Sequence, residues 1–237
     1  MFRPPAFLFA LAVSTSAGSL AAQGAPYRAA WPDAAAIAAG GVLALLPIPL
    51  KLPAGSAPCA PCNPASLWSV DRVAVHLPDA TADRVSTLLL LGVGGAAALG
   101  TIWGEPRARA VTDAVVFTDA VTWAAAVDQW VKVAVHRSRP ILYTSEAAAA
   151  AAANIRDDRE SFPSGHAELA FAVATAYTMV ARRRHAPHVT RNAFLLYAGA
   201  AVVSALRVTA GRHFPTDALG GALLGTAVSW TVATVHP

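Results

Sequence analysis

The sequence is short of charge. Asp, Glu, Lys and Arg make up 14% of its 237 residues, where a soluble domain carries about 25%. Apolar residues reach 55%. That balance points to a membrane protein, although an Ala-rich soluble helical protein approaches the same numbers. Cysteine is nearly missing too, with Cys59 and Cys62 the only two. A zinc site would need further ligands, and only His76 is nearby. A redox pair of the thioredoxin kind needs an α/β context that this chain lacks, and a local disulfide in an exported loop is the ordinary reading. The net charge of +4 comes with no basic stripe interleaved with aromatics and no nucleic-acid motif. Nucleic acid is therefore not an expected partner. No linker divides the chain, and its length suits one domain with a large core.

What is present is a series of apolar segments. The first 22 residues have Arg3, an apolar centre at 6–13 and small residues at Ser19, Ala21 and Ala22, the pattern of a signal peptide. An uncleaved first membrane helix is the alternative. Residues 34–50 are apolar but marginal for spanning and are weakened by Gly40, Gly41, Pro47 and Pro49. If the signal is cleaved, this stretch starts outside and cannot cross once. A Pro-rich polar loop with Cys59 and Cys62 runs to about Arg84, so that 23–84 forms an N-terminal helix and exported loop. Uncharged residues 85–103 then fit one crossing. Segment 110–135 is apolar yet carries Asp113, Asp119 and Asp128, which must face the bundle or its watery ends. Asp128 precedes Lys132 by one helical turn, the order that favours an ion pair. Residues 166–181, 193–206 and 218–235 complete the set. The expected fold is all-α, a membrane helical bundle of five to six apolar helices, with its catalytic part at 85–237.

Arginine placement gives an orientation. The turn with Arg107 and Arg109, and the cluster of Arg182, Arg183, Arg184 and Arg191, read as cytoplasmic. Three polar pieces then fall together on the exported face: K-V-A-V-H-R-S-R-P at 132–140, F-P-S-G-H at 162–166 and R-V-T-A-G-R-H-F-P-T-D at 207–217. They gather the inventory of a phosphate site. Lys132, Arg139 and Arg207 supply fixed positive charge for non-bridging oxygens. Lys132 and Arg139, two helical turns apart, are expected on one helical face, with Pro140 ending the helix at Arg139. Ser164 and Gly165 open a helix whose free N–H groups suit an anion. His166 stands at that entrance, placed to protonate a leaving oxygen. His213 precedes the last helix, and Asp217 is expected to take its ring N–H and leave the other nitrogen nucleophilic. Each residue alone has an ordinary structural explanation; the constellation does not.

The pattern K-x6-R-P, P-S-G-H and R-x5-H-x3-D resembles that of the type 2 phosphatidic acid phosphatase superfamily, which also includes bacterial acid phosphatases and vanadium haloperoxidases. The resemblance covers residues 85–235 and implies a helical bundle. It also implies a metal-free phosphatase with a phosphohistidine intermediate and no cofactor, vanadate entering only in a haloperoxidase. Carried over by position, His213 is the nucleophile, Asp217 its orienter and His166 the acid, while Lys132, Arg139, Arg207, Ser164 and Gly165 hold the phosphoryl oxygens. The family usually has Ser before the arginine of the third piece, whereas this chain has Leu206. A hydroxyl donor is then missing unless Ser204 or Thr209 supplies one.

The first function is therefore a membrane phosphatase acting on a lipid phosphate or isoprenoid pyrophosphate, at the exported face of a bacterial-type inner membrane. The alternatives are a soluble exported acid phosphatase, a haloperoxidase, or a membrane protein with a decayed site. The loop through Ala147–Ala153 is the expected cover of the pocket. No motif speaks to oligomeric state.

Overall fold

The computed structural model describes residues 27–236. These form seven α-helices: α1 (Trp31–Leu45), α2 (Ala80–Ile102), α3 (Arg107–Val135), α4 (Ala147–Ala153), α5 (Gly165–Arg183), α6 (Val189–Thr209) and α7 (Pro215–Val235), with no strand among the described residues. The all-α bundle expected from sequence is the architecture found. The 1–22 segment read as a signal peptide lies outside the described residues.

Helix α5 is the axis of the bundle, packing against α2, α3, α6 and α7. Its sequence explains why. Ala167, Ala170, Ala172, Ala174, Ala176 and Ala181 are all fully buried, and small side chains let four neighbours approach closely. The approach of α7 is the tightest. A Cβ on Gly225 would run into the Glu168 carbonyl, and one on Gly221 would lie 2.5 Å from the Ser164 carbonyl.

Helices α2, α6 and α7, and α3 with the turn that follows it, are long and apolar enough to cross a membrane. Leu88, Leu91 and Leu99 on α2, Phe194, Leu195 and Val202 on α6, and Leu219, Leu223 and Trp230 on α7 are exposed. An apolar belt of this kind is what a bilayer covers. The aspartates of α3 face inward, as their cost in lipid requires: Asp113, Asp119 and Asp128 are buried.

Three boundaries differ from expectation. Helix α1 covers only Trp31–Leu45 before turns take over; at 1.5 Å per residue it reaches about 22 Å, short of a hydrocarbon core of about 30 Å. It packs on α3 instead. Helix α2 begins upstream of the apolar run because Asp79 caps it, accepting from the N–H groups of Thr81 and Ala82. Helix α3 ends at Val135, where His136 takes a left-handed φ of 51°, so Arg139 lies beyond the helix in extended backbone. The two-turn helical spacing expected for Lys132 and Arg139 is not what brings them together.

Cys59 and Cys62 are joined as a disulfide. Cys62 is buried and its N–H donates to the Leu142 carbonyl at 2.7 Å, which fastens the Pro-rich loop to the turn after α3.

Candidate active site

The start of α2, the end of α3, the start of α5, the end of α6 and the start of α7 meet at one end of the bundle. A cavity of about 450 Å³ lies there, lined by Lys132, Arg139, Gly165, His166, Arg207 and His213 among others. Six of the eight catalytic and phosphate-binding residues expected from sequence thus share one cavity wall. The other two, Ser164 and Asp217, are fully buried beside it. The N–H of Ser164 donates to the Asp217 carbonyl at 3.0 Å, so the two helix starts are tied together.

Local sequence accounts for each position. Gly165 leaves room for the lysine, since a Cβ there would stand 2.8 Å from Lys132 Nζ. Lys132 is buried and paired with Asp128 one turn earlier, as its spacing predicts. Gly211, with φ of +64°, turns the chain after α6 and packs against His76, delivering His213 to the cavity. Ser164 occupies the N-cap position of α5, but its hydroxyl makes no cap hydrogen bond. That hydroxyl and Arg207 Nε are both buried without a hydrogen-bond partner among the described residues. Buried donors without partners are costly, and an oxyanion would satisfy both.

His213 is anchored differently from expectation. Its Nδ1 lies 2.7 Å from the Ser161 carbonyl, but 3.8 Å from Asp217 Oδ2. A carbonyl oxygen only accepts, so Nδ1 carries the ring proton and Nε2 keeps its lone pair. Asp217 is occupied elsewhere: it accepts from Arg137, from the Ser161 hydroxyl at 2.6 Å and from the Phe214 N–H at 2.8 Å. It therefore holds Ser161, which in turn orients His213. Burial, reinforced by the cations Arg139, Arg207 and Lys132, keeps His213 well below the usual imidazole range. Neutral and protonated at Nδ1, it has the form of a nucleophile.

His166, in the first turn of α5, has Nε2 at 3.1 Å from the Thr87 hydroxyl. It shares the cavity with Lys132, Arg139 and Arg207. Burial first, and then the field of Arg207, Arg139 and Lys132, lower its pKa to about 4; a phosphoryl dianion bound among those cations would offset their field and raise the affinity of the ring for a proton.

Two points about the surroundings are corrected. Neither Ser204 nor Thr209 replaces the hydroxyl missing at Leu206, because they donate to the carbonyls of Ala200 and Ala205 on their own helix. The loop expected to cover the pocket reaches the cavity through Arg156, Asp157 and Glu160, and not through its Ala147–Ala153 helix.

Several residues escape the sequence reading. Arg137 is the hub behind the cavity, donating to Asp217 and, at 2.7 Å each, to Asp71 and the Thr216 hydroxyl. It also stacks on Phe214, 4.3 Å from the ring centroid. Its place between Lys132 and Arg139 is the available signal. Asp71, Asp83, Ser86 and Thr87 offer none, since their partners lie far along the chain. Glu168 is fully buried, with both carboxylate oxygens unpartnered among the described residues, and it lines the cavity beside Asp128.

A comparison with family models places the chain. The model described as PAP2 superfamily matches residues 113–237, more than half of the chain and all three polar pieces. The chain belongs to the PAP2 superfamily. No match is found among curated proteins or among solved structures. PAP2 membership carries phosphatase-type activity, that of a phosphoesterase-type hydrolase acting on a phosphorylated substrate. In this PAP2 chain the match begins within α3, so Asp71, Asp83, Ser86 and Thr87 join the site from outside it.

Proposed function

We propose that this PAP2 protein is a membrane phosphatase that removes a phosphoryl group from a lipid phosphate or pyrophosphate at the exported face, through a phosphohistidine and without a metal. The observation that carries the reading is the pair of orphaned buried donors, the Ser164 hydroxyl and Arg207 Nε, which have no hydrogen-bond partner among the described residues; Arg207 lines the cavity that holds His213, and Ser164 lies buried beside it, next to the lining residue Gly165. Such donors in a cation-lined cavity ask for an oxyanion, and the lone pair of His213 Nε2 is available to attack it.

In the first step His213 Nε2 forms a bond to phosphorus while the bond to the leaving oxygen breaks. His166, protonated once the bound phosphate offsets the field of the cations, delivers its proton to that oxygen. Lys132, Arg139, Arg207, Ser164 and the N–H groups at the start of α5 take the non-bridging oxygens, where charge is spread in the transition state. In the second step water attacks phosphorus, His166 accepts its proton, and the nitrogen–phosphorus bond breaks to release phosphate. Ser161 holds the ring of His213 through both steps, and Asp217 with Arg137 holds Ser161.

The placement of the cavity at the end of helices with an exposed apolar belt supports a lipid substrate. The arginines support the exported face: Arg107, Arg109, Arg182 and Arg183 lie at the opposite end, the arrangement of a cytoplasmic side.

The test is phosphoenzyme trapping from labelled substrate by alkaline quench of the purified chain. The wild type is expected to give a base-stable, acid-labile label, and His213→Ala none, with turnover down at least about 10³-fold. Undiminished label in His213→Ala would overturn the nucleophile. Turnover of phosphatidic acid, undecaprenyl pyrophosphate and p-nitrophenyl phosphate by the same preparation tests the lipid preference.

A further inference from the structure

Each cation lining the cavity already faces a carboxylate. Lys132 pairs with Asp128, Arg139 with Asp157, Arg156 with Glu160, and Arg207 and Arg212 both with Asp83. Asp83 differs from the rest in holding two arginines at once. Its Oδ1 accepts from Arg207 Nη1, and its Oδ2 accepts from Arg212 Nε at 3.1 Å and Nη2 at 2.8 Å. A guanidinium fork of this kind takes carboxylate and phosphate alike.

The carboxylate arrives from α2, in the part of the chain outside the PAP2 match. The same helical face supplies Ser86, whose hydroxyl is 3.2 Å from Arg207 Nη1, and Thr87 beside His166. Spacing of three and four residues puts all three on one side of α2. Asp83 itself lines the cavity, and its side chain is 26% exposed where that of Asp128 is 4%. Released from the arginines, it turns to water at modest cost, whereas Asp128 has no such route. Arg207 Nε, meanwhile, has no hydrogen-bond partner among the described residues.

We propose that Asp83 is a built-in competitor for the phosphoryl group: it occupies the Arg207–Arg212 fork and is displaced when substrate binds. It is thus a specificity-determining residue. One carboxylate charge is exchanged for the two of a phosphoryl dianion, so multiply charged ligands win the fork and singly charged ones do not. The inference rests on the cavity being a phosphate site, as proposed above.

Competition and simple scaffolding predict opposite signs, which makes the test decisive. Binding of inorganic phosphate to the full chain in lipid nanodiscs is measured by calorimetry and by thermal shift. Asp83→Asn is expected to bind phosphate about tenfold tighter than the wild type, and to melt at a lower temperature when phosphate is absent. Asp83→Glu is expected to restore weak binding. Asp83→Ser must move affinity in the same direction as Asp83→Asn, so that a folding defect in one variant does not decide the result. Equal or weaker binding by the charge-removing variants would overturn the competitor. Absence of phosphate binding in the wild type and all variants would remove the phosphate site itself, and the competitor with it.

Discussion

At the end of the bundle away from the cavity, Arg184 donates to the carbonyls of Thr101 and Gly100, at 2.5 and 2.8 Å, and to Asp113 at 3.1 Å, while its Nε lies 3.5 Å from Glu105. At the cavity end, Arg207 has one terminal nitrogen on Asp83 and Ser86; the Nε of each arginine lacks a hydrogen-bond partner among the described residues. Both side chains are nearly buried. The first closes the end of α2 onto α3 and α5 through two main-chain carbonyls, which no ligand displaces, together with the Asp113 carboxylate. The second is held by side chains, one of them with a route to solvent. The same residue type is a fastener in one place and a grip in the other, and the identity of its acceptors separates the two. A second cavity at the far end, about 560 Å³ and lined by Arg109, Arg183 and Arg184 among others, carries cations too, so charge alone does not mark a catalytic site.

The comparison is open to experiment. Arg184→Ala should give the largest effect, and on folding: it takes the nearest cation from buried Asp113, a loss of about 3–5 kcal/mol, while turnover per folded molecule stays within about twofold of wild type. Turnover lost at an unchanged melting temperature would erase the contrast between the two ends. His166→Ala is next and acts the other way round. It should leave the melting temperature in place and slow hydrolysis of alkyl phosphates by about 10²–10³-fold. Phosphoenzyme formation from p-nitrophenyl phosphate, whose leaving oxygen needs no proton, should survive; its loss would take the acid role away from His166. The smallest effect concerns pH. His213 is held neutral in the fold, with a pKa depressed below its ordinary 6.5, so on acidification the unfolded chain binds the extra proton first. The stability this contributes is complete above about 6.5 and is lost as pH falls, by up to about 1.4 kcal/mol per pH unit. His213→Asn should flatten that acid limb in pH-dependent melts; identical limbs would place the ring in water.

Much of this is legible along the chain. The helices are readable because apolar runs of spanning length admit few alternatives, and the three motifs lie at helix ends, where alternating helix direction carries them to one side. What is illegible depends on contacts between distant segments. Spacing pairs Asp217 with His213, but it does not reveal that Arg137 and Ser161 claim the carboxylate first. Asp83 escapes because the apolar run begins only after it, and nothing local shows that Asp79 caps the helix early enough to bring Asp83 onto it. The polar loop before α2 reads only as a Pro-rich exported loop, yet its Asp71 is almost wholly enclosed.

Asp71 accepts from Arg137 and from both the N–H and the hydroxyl of Thr216, so the loop grips the residues that set the base of the catalytic wall. A fragment trimmed to the matched segment 113–237 would keep every motif and lose the counter-charges of Arg137 and Arg207 supplied by Asp71 and Asp83. The motif residues and these counter-charges thus reside on different stretches of one chain. With Asp83 in the role proposed above, sequence change upstream of α3 retunes ligand preference while the proposed reacting groups stay as they are.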